Sequence, residues 1–388
     1  MSGVQESIFA PLQPTAIPRA AATGAVRVPL AEMLGLGAGI WDGLLVPGES
    51  SSPFMTWDWY RAWLAAAPKE EITASQAIVL PSAAGKIDAL FPFRVQRIRF
   101  RGAAVNALGW AIGDLGCPDH LDLAVSRAAD LKPLVAALDE LPWEIIRLEG
   151  VAEGAPNVER FSAACERHGW HVRRAPSWYC PYLDLPETWE AYLSTLSQHG
   201  RHAIRRKERK LGREHQVVLT DYGKGLLDEG LDHLQRLHTQ RWEGGGVFRD
   251  PAVERLHRVF AAELAERDQL WLVTLDVDGA PAAAWYGFAF GDTVYHYQSG
   301  RDPCWERDRV GTVLQGLMIR RAIERRYRRL DFLRGKEPYK AEWTSTSRRC
   351  YEVVVFRRGW RGAALRALDW TARHPLRQRL RGRSDTAS

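Results

Sequence analysis

At 388 residues with 46% apolar side chains, the chain is long enough for two domains of about 150–200 residues, each with an ordinary core. Five scattered cysteines, odd in number and without a CxxC pair, suit a reducing cytosol and argue against a disulfide framework; no window approaches the roughly 18 consecutive apolar residues of a membrane span. The balance of 53 Lys+Arg against 47 Asp+Glu, with no secretory leader evident, predicts a cytoplasmic protein able to meet acidic substrates or surfaces.

Residues 1–25, rich in Ala, Pro, Ser and Gly without a period, read as a flexible tail. A helix is expected over Thr56–Ala66, with Asp58 in its first turn and Pro68 past its end. Strands follow at Gln76–Leu80 and Ile87–Val95, joined by a turn around Gly85-Lys86. A helix over 129–140, a short strand Ile145–Leu148 ending at Glu149-Gly150, a helix Val158–His168 and a strand Val172–Leu185 complete the first half. The second half brings a helix over Gly230–Trp242, then strands Leu270–Asp276 and Ala282–Phe290 around a tight Asp278-Gly279 turn. A third strand Thr293–Gln298, a helix Gly311–Tyr327, a strand Leu330–Leu333 and a late strand Tyr351–Phe356 follow.

Helix, hairpin, helix, strand thus occurs twice, and one interval separates both Trp57 from Trp242 and Gly150 from Gly335. The pattern predicts one supersecondary unit used twice in an α/β (α+β) chain. The expected limits are a first domain at 26–185, a second at 186–360, and a basic helix and tail at 361–388.

Two segments carry the chemistry. Gly311 follows a strand and opens a helix whose Val313, Leu314, Leu317 and Met318 mark one buried face. Its backbone can turn tightly, and the N–H groups of a first helical turn hold anions such as pyrophosphate; an ordinary loop is the plain alternative. The second segment, Arg334-Gly335-Lys336-Glu337-Pro338-Tyr339-Lys340-Ala341-Glu342-Trp343, breaks the strand that ends at Leu333. Ligands bind beyond the carboxyl ends of strands in open α/β sheets, where this polar loop belongs. There Tyr339 is a candidate proton donor, Lys340 a candidate oxyanion or phosphate partner and Glu337 a candidate base; a solvated charged turn is the alternative.

The string Phe332–Trp343 closely resembles the hallmark of GNAT-like acetyltransferases of the CelD/BcsL type, linked by name to cellulose biosynthesis. A second stretch agrees: Cys180-Pro181-Tyr182-Leu183-Asp184-Leu185-Pro186, Trp189, Tyr192-Leu193, Leu196, Arg201 and Arg205-Arg206 through Leu211. The chain is also similar to the Fem-type peptidyltransferases, which carry tandem GNAT domains and take aminoacyl-tRNA as donor. The resemblance implies tandem GNAT-like domains, each a mixed, mainly antiparallel sheet flanked by helices. The first is expected to be degenerate, because no Tyr-Lys counterpart follows Glu149-Gly150. It further implies that Val310, Gly311, Thr312 and Val313, with Arg334, hold the coenzyme A of an acetyl-CoA donor. Tyr339 and Lys340 fall where the Fem-type enzymes have a Tyr-Lys pair. The pyrophosphate loop departs from the usual GNAT pattern, since Asp308 and Val313 stand at its first and last positions around Gly311.

Seven Lys/Arg between Arg201 and Arg213, against Glu208 alone, make a basic helix suited to a polyanion: tRNA, a nucleotide-sugar or a coenzyme's phosphates. Arg201, Arg205, Arg206 and Trp242 are its candidate contact residues. Cys165, His168 and His171 have metal-like spacing but offer three ligands where structural zinc takes four, so no metal is expected. His296 reads as a packed or hydrogen-bonded strand histidine, and the Gly244–Gly246 run as a mobile loop. The chain is therefore expected to be an acyltransferase moving acetyl from acetyl-CoA to an amine or hydroxyl of a small molecule, sugar or envelope precursor. An aminoacyl-tRNA-dependent Fem-like transferase and a non-catalytic binding module in polysaccharide assembly are the alternatives.

Overall fold

The computed structural model describes residues 24–45, 51–82, 86–242, 245–335 and 337–373. Gly85, Gly244 and Lys336, and with them part of three expected turns, lie outside the described residues, as do 1–23 and 374–388. The first half runs β1 (Val26–Pro29), α1 (Leu30–Gly35), α2 (Ala38–Trp41), α3 (Trp57–Ala66), α4 (Lys69–Ala74), β2 (Ser75–Pro81), β3 (Ile87–Phe100) and β4 (Ala103–Trp110). It continues with β5 (Ala124–Val125), α5 (Lys132–Asp139), β6 (Ile145–Ala152), α6 (Pro156–Arg167) and β7 (His171–Asp184). The second half runs α7 (Trp189–Thr195), α8 (Gln198–Glu214), β8 (Val217–Asp221), α9 (Leu227–Arg241), α10 (Pro251–Glu266), β9 (Leu270–Val277), β10 (Ala280–Phe290) and β11 (Thr293–Arg301). It closes with α11 (Val310–Glu324), β12 (Arg329–Asp331), α12 (Pro338–Ala341), β13 (Ser347–Phe356) and α13 (Trp360–Arg373).

Local chemistry explains several boundaries. Thr56 caps α3 by accepting the Trp59 N–H at 3.3 Å, and Ser197 caps α8 by accepting the Gly200 N–H at 3.1 Å. β10 is buried over almost its whole length because helices cover it, and its sequence is correspondingly apolar. The fold is a mixed α/β arrangement, mainly antiparallel, in which one GNAT-like order of elements is used twice. In each half a first strand, helices, an antiparallel three-strand meander, a helix and a parallel strand follow in the same order.

The two halves exchange their last strands. The sheet order is β1-β2-β3-β4-β6-β13-β7-β12-β11-β10-β9-β8, with β5 beside β3. Thus β13, from the second half, pairs with β6, while β7, from the first, pairs with β12. The β7–β13 pairing, Ser347↔Pro181 to Phe356↔His171, is the seam between them. The helices before each meander also meet: Trp59 of α3 lies edge-on to Phe260 of α10 at 4.9 Å, and Arg61 pairs with Glu263 at 2.6 Å. A single apolar core therefore runs across both halves, and a second fills the space under α7 and α11.

Three expectations need correcting. β6 does not end at Gly150 but continues to Ala152, because Gly150 takes a left-handed backbone (φ 68°) inside the strand. Trp57 and Trp242 stand at different places in their elements: Trp57 opens α3, whereas Trp242 follows the end of α9. Neither α10 nor β4 is foreseen, and β3 runs five residues beyond the expected Val95, to Phe100.

Candidate active site

Arg309 has a left-handed backbone (φ 58°) and swings the chain from the turn over Pro303–Asp308 into α11. In the first turn of α11 the Thr312 and Val313 N–H groups donate to Arg309 O at 2.9 and 3.1 Å, while those of Val310 and Gly311 take no backbone acceptor among the described residues. Nearby the sheet splits. The parallel β11–β12 pairing covers only Thr293–Tyr295 against Arg329–Asp331, and β11 continues to Arg301 without that neighbour.

A cavity of about 160 Å³ lies between this helix start and the wedge, lined by Arg241, Trp285, Gly300, Gly311, Thr312 and Tyr339 among others. Gly300 is required there, since a Cβ would sit 2.3 Å from the His238 backbone nitrogen. Its absence lets α9 rest on β11 and delivers Arg241 to the cavity. Arg241 donates to Ser299 O and Oγ at 3.2 and 2.7 Å, and its guanidinium lies 5.2 Å from the Tyr339 ring centre.

His296 is buried and stacks on Trp285 at 4.6 Å and 10°. Neither ring nitrogen has a hydrogen-bond partner in proper geometry, although the Gln298 backbone is close enough to favour protonation slightly. Burial, and then the charges of Lys340 and Arg241, hold it well below the usual histidine range, so it is neutral. Tyr339 packs 6.4 Å from it, ring to ring, and burial pushes the phenol well above its usual range, so the proton stays on the oxygen at neutral pH.

The expected site residues separate into those at the cavity and those elsewhere. Gly311, Thr312 and Tyr339 line it. Val310 and Val313 are buried in the second core and bring backbone rather than side chains. Lys340 is buried with its ammonium turned into its own loop: Nζ donates to Arg334 O at 2.8 Å and Leu333 O at 3.4 Å, and pairs with Glu337 at 3.0 Å. Two carbonyls accept from the ammonium and neither Lys340 nor Glu337 lines the cavity, so the pair braces the loop. Arg334, expected beside the donor, turns the other way. It reaches across to the first half, where Nε meets Asp119 Oδ1 at 2.9 Å and Nη2 meets Pro118 O at 2.6 Å, above the Trp178 ring.

On α8, Arg201 donates to the α7 carbonyls of Ser194 and Leu196, while Arg205 and Arg206 stand exposed on the outer face. Lys207, Lys210 and Glu208 face inward instead, pairing with Glu342, Asp308 and Arg320. Trp242 is half exposed under Arg241. The residues that sequence reasoning missed are Arg241, Trp285 and Gln315, whose Oε1 accepts the Trp285 Nε1–H at 3.1 Å. A buried glutamine on the otherwise apolar face of α11 is the signal the sequence offers for them. Cys165, His168 and His171 do not gather into a ligand set among the described residues; His168 pairs with Asp139 at 3.1 Å instead.

Residues 198–341, which hold α8, the split sheet, α11 and the loop, match the acetyltransferase (GNAT) domain family. The second half thus carries a GNAT-type domain, and the chain is an acyltransferase by class. Among solved structures it is similar to FemX at 10% identity and TM-score 0.53, over 81% of this chain and 95% of that one. It is likewise similar to a conserved protein of unknown function from Bacteroides thetaiotaomicron at 13% identity and TM-score 0.51, over 76% of this chain and 88% of that one. By sequence, no curated protein matches it. Among the described residues, no helix is long and apolar enough to cross a membrane.

Proposed function

We propose that the second half transfers an acetyl group from acetyl-CoA to an amine or hydroxyl of a small molecule, sugar or envelope precursor in the cytoplasm. The observation that carries this reading is the convergence of a free helix N-terminus, a split sheet and a protonated tyrosine on one cavity. The Val310 and Gly311 N–H groups and Thr312 receive the pyrophosphate. The acceptor's nitrogen or oxygen attacks the thioester carbonyl, the C–S bond breaks, and Tyr339 gives its proton to the leaving thiolate while the acceptor's proton passes to water. The unpaired edge of β11 beyond Tyr295 supplies N–H groups for the oxyanion. In this scheme Lys340 and Glu337 are positioning residues.

A Cβ at Gly311 would meet only Arg301 Cδ, at 3.5 Å, so Gly311→Glu should fold while placing a carboxylate where the pyrophosphate belongs. Titration calorimetry should show acetyl-CoA binding weakened at least about tenfold, roughly 1.4 kcal/mol. Tyr339→Phe should bind normally and turn over about 10²-fold more slowly or worse. Wild-type protein that binds no acetyl-CoA would end the reading.

One feature favours aminoacyl-tRNA as donor instead, in line with the Fem-type resemblance. Arg205, Arg206, Arg209 and Arg213 form an exposed stripe beside α11 whose only ion-pair partner among the described residues is Glu214, on Arg213. Under that reading, tRNA binding is steeply salt-dependent, and Arg205→Glu with Arg206→Glu lowers the slope of log K against log salt by roughly 0.7–0.9 per lost phosphate contact. Filter binding across a salt series decides it; a flat response removes tRNA as donor.

A further inference from the structure

Apart from the cavity, the seam between the exchanged strands holds a cluster that the transfer chemistry does not use. Cys180 on β7 and Cys350 on β13 are completely buried, with their sulfurs 3.8 Å apart. His120, 3% exposed, places Nδ1 3.6 Å from the Cys350 sulfur. The three ligand atoms lie within 4.8 Å of one another. We infer that Cys180, Cys350 and His120 form a binding site for a thiophilic divalent cation of the zinc type, set at the junction of the two halves.

Three observations carry the inference. The first is spacing. Tetrahedral zinc, with Zn–S of about 2.3 Å and Zn–N of about 2.0 Å, separates its ligands by about 3.8 Å for S···S and about 3.5 Å for S···N. The Cys180–Cys350 and Cys350–His120 separations of 3.8 and 3.6 Å are close to those values, and the third pair lies within 4.8 Å. The second is the outer support. The other ring nitrogen of His120, Nε2, lies 3.3 Å from Asp331 Oδ2, outside hydrogen-bond geometry, so a carboxylate faces the ring edge opposite the one turned to the sulfurs. Asp331 is itself fixed by Arg348 at 2.7 Å and by the Leu333 N–H at 2.7 Å. The third is charge. Asp331 and Arg348 cancel, so the buried pocket adds a dication without net charge once two thiols lose their protons to solvent and become thiolates.

A cavity of about 300 Å³, lined by His120, Tyr295 and Arg348, gives the entry path and room for water as fourth ligand. Its two cysteines come from strands of opposite halves, so a bound ion would pin the exchanged pair β7–β13 together.

Tag-free full-length protein, stripped with chelator, is dialysed against zinc and separately against cobalt(II). One zinc per chain is expected, falling to none in Cys350→Ser and Cys180→Ser and unchanged in Cys165→Ser. Cobalt is expected to give thiolate-to-metal charge-transfer absorption, which the surface trio Glu214, His215 and Asp308 cannot produce. A wild-type measurement guards against misfolded variants: alkylation of Cys180 and Cys350, followed by peptide mass spectrometry, should slow about tenfold when zinc stands at ten times its Kd. Absence of retained metal, cobalt spectra without a sulfur band, alkylation indifferent to zinc, or recovery of the two cysteines as a disulfide would each overturn the inference.

Discussion

Replacing Asp119 with alanine is expected to lower the unfolding free energy by about 3–5 kcal/mol, the usual cost of stripping one partner from a buried ion pair. Asp119 is fully buried in the first half, yet three of its contacts serve other segments. Oδ1 accepts from Trp178 Nε1 at 2.7 Å and Arg334 Nε at 2.9 Å, and Oδ2 accepts from the Arg334 backbone N–H at 2.8 Å. Burial pushes this carboxyl above the usual aspartate range even against the pull of Arg334, so desolvation is the larger effect on its ionisation. Alanine would leave the guanidinium with Pro118 O and the exposed Asp114 alone. Asparagine keeps the volume and one acceptor, and should cost about half as much. Urea unfolding followed by tryptophan fluorescence measures both; a shift below about 1 kcal/mol for the alanine variant would show that the pair contributes little.

The same substitution should reach the cavity. Arg334 begins the loop that Lys340 and Glu337 brace and that ends by presenting Tyr339. Releasing Arg334 from Asp119 frees one end of that loop, so turnover should fall while the proposed donor site at Gly311 stays intact. Dependence of a second-half loop on a first-half carboxylate gives the first half a physical role, whether or not it holds a ligand of its own.

The regular elements of this fold were legible wherever a period stood alone. The strand Leu270–Val277, the hairpin through Asp278-Gly279 and the capped helix at Thr56 announce themselves locally. The helix that opens at Gly311 and the strand that stops before Arg334 were legible too, from a glycine ahead of an apolar helical period and a polar run after a short apolar one. What escaped depends on contacts distant in sequence. Arg241 reaches the cavity only because Gly300 lets α9 touch β11, and Lys340 turns inward because the carbonyls of Leu333 and Arg334 happen to face it. Strand exchange left no local mark, since β7 and β13 would look the same paired within their own halves. Cys180, Cys350 and His120 likewise share no spacing motif. They meet only because β7 and β13 are neighbours and the loop ahead of β5 lays His120 beside them.

Stability should also fall steeply with mild acid, through three histidines that the fold keeps neutral. His257 is pushed down to about 3 by burial, with Tyr286 Oη at 3.1 Å its only hydrogen-bond partner among the described residues. His238 is pushed down to about 4, again by burial first, with Arg241 adding to the effect and Gln298 opposing it. His296 is held well below the usual histidine range, again by burial first, with Lys340 and Arg241 reinforcing it. A histidine whose folded pKa is depressed binds its proton first in the unfolded chain, near pH 6.5, so unfolding takes up protons and stability drops as pH falls below that point. The loss continues until the folded pKa is reached, near 4 for His238 and 3 for His257. Each contributes up to roughly 1.4 kcal/mol per pH unit, and the three together roughly 3–4 kcal/mol between pH 6 and 5. Urea midpoints measured from pH 7.5 to 5 should show that slope, reduced by about a third in His257→Gln. A midpoint flat down to pH 5 would mean that these imidazoles accept protons in the folded state. Because His238 and His296 flank Arg241 and Tyr339, the cavity should open before the rest of the chain, with acetyl-CoA affinity falling ahead of global unfolding on the same acid limb.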